Sequence, residues 1–138
     1  MQIILDVNPL LAALIKDSTS REIISNEEFT FFFPEIGLRK IRKYKVYIKK
    51  KAQLSEEEFL SLWQHILQYI TLIPDEQILT QWKKAKEIME HIDPEDVPFI
   101  AAALAHNKPI WSDDKHFKQQ NTIKTFNTKE LIQLTTKN

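Results

Sequence analysis

Along this chain, apolar residues fall either in short continuous runs or at intervals of three and four, a pattern that predicts strands separated by helices. Ile3-Ile4-Leu5 is a continuous run that stops at Asp6, after which Leu10, Leu11, Leu14 and Ile15 recur at helical spacing. Residues 18–25, with Ile23 and Ile24, predict a short second helix. The aromatic and β-branched run Phe29-Thr30-Phe31-Phe32-Phe33 predicts a buried strand closed by Pro34. One helix is expected from Glu35 to about Ala52, with Leu38, Ile41, Tyr44 or Lys45, and Ile48 on its inner face.

Ser55-Glu56-Glu57-Glu58 has the form of a capping box, and Phe59, Leu62, Trp63, Ile66 and Ile70 supply the buried stripe of the helix it opens. Thr71-Leu72-Ile73 predicts a short strand. A helix follows from Asp75 to Glu90, with Ile78, Leu79, Trp82, Ala85 and Met89 inward. Pro98 is tolerated only in a first turn, so the alanine-rich helix at 99–105 starts near Asp96. Residues 109–112 and 123–126 predict two more strands, and Asn127, with Glu130 three residues on, caps the last helix.

Strands alternating with helices imply an α/β layer with a mainly parallel sheet of four or five strands, whose ligands gather at the carboxyl ends of the strands. A length of 138 residues fits a single domain, 1–138. No apolar stretch is long enough to span a membrane, and no basic-then-apolar leader opens the chain, so a cytoplasmic location is expected. The lack of cysteine excludes disulfides, zinc ribbons and thiol nucleophiles. A single glycine, Gly37, excludes glycine-rich phosphate loops.

The formal net charge of zero conceals a segregation. Arg39, Lys40, Arg42, Lys43, Lys45, Lys49, Lys50 and Lys51 lie in a stretch without acids, so its +8 is balanced by −8 elsewhere. Such a stretch reads either as a solvated helix face or as a track for a phosphate backbone, with Tyr44 and Tyr47 available for stacking.

An acid directly after Ile-Ile-Leu is costly unless it meets a cation or donors, which makes Asp6 the first candidate for chemistry. Asp96 begins a helix, and Asp113 and Asp114 end a strand. Taken singly, each also reads as a cap or turn residue. As a set they come from three regions that an α/β topology brings to one crevice. Clustered carboxylates repel unless a cation intervenes, and Mg²⁺ or Mn²⁺ suits all-oxygen ligands and phosphodiester hydrolysis. The histidines, His65, His91, His106 and His116, lack metal-ligand spacing, although His116 lies two residues after Asp114. Trp63, Trp82 and Trp111 sit on core patterns.

Three segments carry a resemblance to a known family. They are Asp6-Val7-Asn8, Asp93-Pro94-Glu95-Asp96-Val97-Pro98-Phe99, and Ile110-Trp111-Ser112-Asp113-Asp114-Lys115-His116-Phe117. In this order they resemble the PIN-domain nucleases, which include the VapC toxins of prokaryotic toxin–antitoxin systems, and most closely a stand-alone prokaryotic PIN subgroup. The resemblance implies a three-layer α/β fold and a Mg²⁺- or Mn²⁺-dependent endoribonuclease. It casts Asp6, Asp96 and Asp114 as metal-site acids oriented by Asn8 and Ser112, with Asp113 and Glu35 as helpers. Arg39, Lys40, Arg42 and Lys43 become RNA contacts, and a homodimer and an antitoxin protein become the expected partners. Two departures stand out: Arg39 and Lys40 occupy the place where the family usually carries an acid, and His116 the place of a further acid. They motivate the alternative of a catalytically weakened PIN-like module for RNA or protein binding. A phosphotransferase of another α/β fold is a third reading.

Overall fold

The computed structural model describes residues 1–15 and 18–136. Five parallel strands form one sheet: β1 (Gln2–Leu5), β2 (Thr30–Pro34), β3 (Ile70–Ile73), β4 (Ile110–Trp111) and β5 (Thr125–Phe126). Their spatial order is β3-β2-β1-β4-β5. The chain therefore builds outward from β1 on one side, then crosses back to build from β4 on the other. Ile4 pairs with both Phe32 and Ile110, which fixes β1 as the central strand. Covered on both faces, β1 must be apolar at successive positions, and Ile3, Ile4 and Leu5 are fully buried. β3 lies at the sheet's edge, and there Thr71 and Leu72 are exposed.

Nine helices among the described residues cover the sheet: α1 (Val7–Ile15), α2 (Ser18–Ile24), α3 (Leu38–Lys43), α4 (Lys45–Ala52), α5 (Glu56–Leu67), α6 (Asp75–Leu79), α7 (Trp82–Met89), α8 (Val97–His106) and α9 (Thr128–Thr136). Short 3-10 turns occupy Glu35–Gly37, Pro94–Asp96 and Lys115–Gln119. The mainly parallel α/β layer expected from the apolar pattern is the one observed. The Ser55 capping box also forms: the Glu58 amide donates to Ser55 Oγ (3.1 Å) and the Ser55 amide to Glu58 Oε1 (3.0 Å). Ala101, Ala102 and Ala103 are fully buried, and their small side chains let α8 approach the sheet closely.

Two expected helices are each divided. The segment from Glu35 to Ala52 is a 3-10 turn followed by α3 and α4, with a break at Tyr44 (φ −94°, ψ 5°). Ile41 and Ile48 reach the core from either side of the break. The segment from Asp75 to Glu90 is divided between α6 and α7, where Thr80 Oγ1 donates to the Gln77 carbonyl (2.6 Å) and competes with the helical pattern. Leu79, expected inward, is exposed as a result of the same break.

The sole glycine has a steric reason. A Cβ on Gly37 would lie 2.7 Å from Cε2 and 2.8 Å from Cζ of Phe33, a fully buried ring held edge-on against Phe99. Because that ring has no room to retreat, Gly37→Ala should lower unfolding free energy by roughly 1–3 kcal/mol, the usual cost of overpacking. Urea denaturation of the two proteins measures it, with an unchanged m-value as the sign of an intact native state.

Candidate metal centre

The strand order reverses between β1 and β4, and crevices at such a reversal sit outside the carboxyl ends of the two strands. Asp6 follows β1 directly, and its amide donates to the Trp111 carbonyl at the end of β4 (3.0 Å). Ser112 follows β4, with its amide on the Phe126 carbonyl (2.9 Å). The two side chains therefore emerge side by side. Ser112 Oγ donates to Asp6 Oδ2 at 2.7 Å and accepts from the Asp114 amide at 3.0 Å. One hydroxyl thus couples the two strand ends and sets where Asp114 begins.

Asp96 arrives from the opposite direction, at the junction of the Pro94–Asp96 turn with α8. It occupies the capping position of α8 but its carboxylate makes no capping hydrogen bond. Asp93 does cap the preceding turn, its Oδ1 accepting from the Glu95 amide (3.0 Å). Asp6, Asn8, Asp93, Glu95, Asp96 and Asp114 line a cavity of about 170 Å³, together with Val7, Leu11, Lys40 and Tyr44.

One ligand atom from each of three of these acids, Asp93, Asp96 and Asp114, and from His116 lies within 4.8 Å of the others. His116 Nδ1 is 3.1 Å from Asp93 Oδ2, 3.2 Å from Asp114 Oδ1 and 4.0 Å from Asp96 Oδ2. Asp6 shares the cavity but is not one of these four.

The electrostatics are those of crowded, dehydrated acids. Burial pushes the Asp6 carboxyl up to about 6, against the opposing hydrogen bonds from Ser112 and Val7. Burial first, then the charges of Asp6, Asp93 and Asp114, push Asp96 up to about 8, with Lys40 acting in the other direction. Asp96 is 5% exposed, and its buried Oδ2 has no hydrogen-bond partner. A buried carboxylate oxygen without a donor is costly, and a hard cation would relieve that cost at this position. The donor set, carboxylates with one imidazole in reach, suits Mg²⁺ or Mn²⁺.

The chain belongs to the PIN-domain family. A model of the PIN domain matches residues 4–135, nearly the whole chain. No curated protein matches it. Among solved structures, one that resembles it is the crystal structure of VapBC2 from Rickettsia felis bound to a DNA fragment from their promoter. The likeness has a TM-score of 0.71 at 18% identity, and covers 92% of this chain and 98% of that one, so it bears on fold.

Of the residues read from sequence as PIN-domain site acids, Asp6, Asp96 and Asp114 converge. Glu35 and Asp113 do not join them. Glu35 is exposed in the first turn after β2 and is not among the cavity's lining residues. Asp113 faces α9, where its carboxylate accepts from the Thr128 amide (2.7 Å) and hydroxyl (2.6 Å). That places it at a helix start, one of the roles open to it from sequence. Of the basic residues, Lys40 turns into the cavity, whereas Arg39, Arg42 and Lys43 are exposed. The structure adds Asp93, and it adds His116, which stands at the place where the resemblance expects a further acid.

Both shifted acids hold a proton more tightly in the folded chain than in the unfolded one. In metal-free protein their contribution to stability is fully present below about pH 4 and is lost as pH rises toward 8. Asp96→Asn should therefore raise Tm by roughly 3–8 °C at pH 8 in EDTA, and by little at pH 4. Calorimetry with and without Mn²⁺ checks this, because added metal should reverse the order by stabilising only wild type.

Proposed function

We propose that this PIN-domain protein is a metal-dependent endoribonuclease that hydrolyses RNA phosphodiester bonds at the cavity between β1 and β4. The observation that carries the proposal is the meeting of Asp6, Asp96 and Asp114 in that cavity around the buried, unpartnered Oδ2 of Asp96. Asp96 and Asp114 would hold Mg²⁺ or Mn²⁺, with Asp6, Asp93 and His116 at hand. Such an ion, when bound, lowers the pKa of water and offsets charge at a phosphate.

The remaining work falls to side chains. Ser112 fixes the rotamer of Asp6 and the start of the Asp114 segment through two hydrogen bonds, so the acids face the cavity before substrate arrives. Asn8, exposed beside Asp6 on the cavity wall, offers an amide to substrate or to a ligating carboxylate. Arg39, Arg42 and Lys43 are exposed on α3, the helix that carries Lys40 into the cavity, and would give the RNA backbone a cationic approach. The VapBC2 likeness supports reading the chain as a toxin held by a protein antitoxin, and a homodimer is part of the same reading. No helix among the described residues is long and apolar enough to cross a membrane.

One observation favours a second reading, in which the domain binds RNA or a protein without efficient cleavage: Lys40 points a cation into the acidic cavity. Cleavage of a fluorescent single-stranded RNA in Mn²⁺ separates the two. Wild type should cleave, EDTA should abolish the activity, and Asp6→Asn and Asp96→Asn should each lower it at least ~100-fold while RNA affinity changes little. Ser112→Ala should weaken Mn²⁺ binding by roughly 10–100-fold, the usual effect of losing an outer-shell partner. Salt-sensitive RNA binding by a wild type that cleaves nothing would instead select the second reading.

A further inference from the structure

Of the residues that line the acidic cavity among those described, five carry carboxylates, Asp6, Asp93, Glu95, Asp96 and Asp114, and one carries a positive charge, Lys40. Lys40 reaches the cavity because α3 turns it inward at the position beside exposed Arg39. Its side chain is 30% exposed, against 70% for Glu95, whose Oε2 lies 3.4 Å from Lys40 Nζ. The enclosed partner of this pair is the lysine, and so open a carboxylate, paired with solvent as well, leaves most of the ammonium's field directed at the acids within. Lys40 lines the same cavity as Asp6 and Asp96, so its charge faces theirs.

Two divalent ions acting together at a phosphate sit about 3.5–4 Å apart and need carboxylates on both sides. Here the four groups with converging ligand atoms are Asp93, Asp96, Asp114 and His116, while Lys40 stands on the cavity wall with its Nζ 3.4 Å from Glu95 Oε2. A second ion on that wall would meet a fixed ammonium. A lysine ammonium is a compact point charge on a long stem, suited to standing where an ion would otherwise stand.

We infer that Lys40 is the fixed second cation of this centre, so that the cavity takes a single divalent ion and the ammonium does the neutralising work of another. The inference rests on the metal-dependent reading above and deepens it: the phosphate would be held between one exchangeable ion and one built-in charge. Lys40 therefore lowers the affinity for the one ion by repulsion while it offsets the charge of the same acids.

Manganese titration tests this without reference to turnover. Calorimetry and electron paramagnetic resonance count Mn²⁺ per chain and report its affinity in wild type, Lys40→Met, Lys40→Arg and Lys40→Glu, each checked for an unchanged circular dichroism spectrum in EDTA at the temperature of the titration. Wild type and Lys40→Arg should bind one ion with equal affinity. Lys40→Met should bind Mn²⁺ about tenfold more tightly, the scale expected for removing one nearby charge from a partly exposed site. Lys40→Glu should bind more tightly still and admit a second ion. Two ions on wild type, or an affinity unchanged in Lys40→Met, would overturn the assignment of Lys40 and leave the carboxylate centre standing. Absence of binding in every protein would overturn both.

Discussion

Repulsion among buried carboxylates is the constraint around which this PIN domain is arranged. Asp6 and Asp96 are almost wholly removed from water, yet they share a cavity with three further acids. A fold selected for stability alone would not gather them, because each dehydrated charge is costly and each neighbour adds to the cost. The raised proton affinity of Asp6 and Asp96 expresses that tension in the free chain. A cation resolves it, and the same tension is what would give the site its affinity for one.

The sheet supplies the rigidity that holds the acids together against this repulsion. β1 and β4 are parallel neighbours at the reversal in strand order, buried from Ile3 to Leu5 and at Ile110 and Trp111, and packed against α8. Asp6 and Ser112 are fixed by backbone hydrogen bonds within one step of the sheet, and the Ser112 hydroxyl joins their two strands through side chains. Asp96 is held by the Pro94–Asp96 turn, whose start is capped by Asp93. Each acid is thus placed by an element whose stability has another source, mainly apolar burial, so the strain at the site is borne by the core.

The positive charges are divided in the same way between structure and site. In the basic stretch at 39–51, Lys45 and Lys49 both pair with Glu56 and tie α4 to the start of α5. Arg39, Arg42 and Lys43 remain exposed, and Lys40 turns inward. A run that looks uniform in sequence therefore serves as a strut, an exposed cationic face and a cavity wall.

The sequence by itself determined the alternation of strands and helices, the Ser55 cap, the buried centre of the sheet and the placing of acids at strand and helix ends. Each of these is written in local spacing: apolar runs and helical stripes, a serine three residues before a glutamate, an aspartate directly after a strand. Which acids belong together was decided only in space. Asp113 and Asp114 are neighbours in the chain, but alternation at a strand end sends one to α9 and the other to the cavity. Glu35 stays outside the cavity, whereas Lys40, at the place where the resemblance expects an acid, lines it, an arrangement set by how α3 follows the turn at Gly37 packed against Phe33. His116 joins Asp93 across 23 positions through packing alone, a contact that no spacing along the chain encodes.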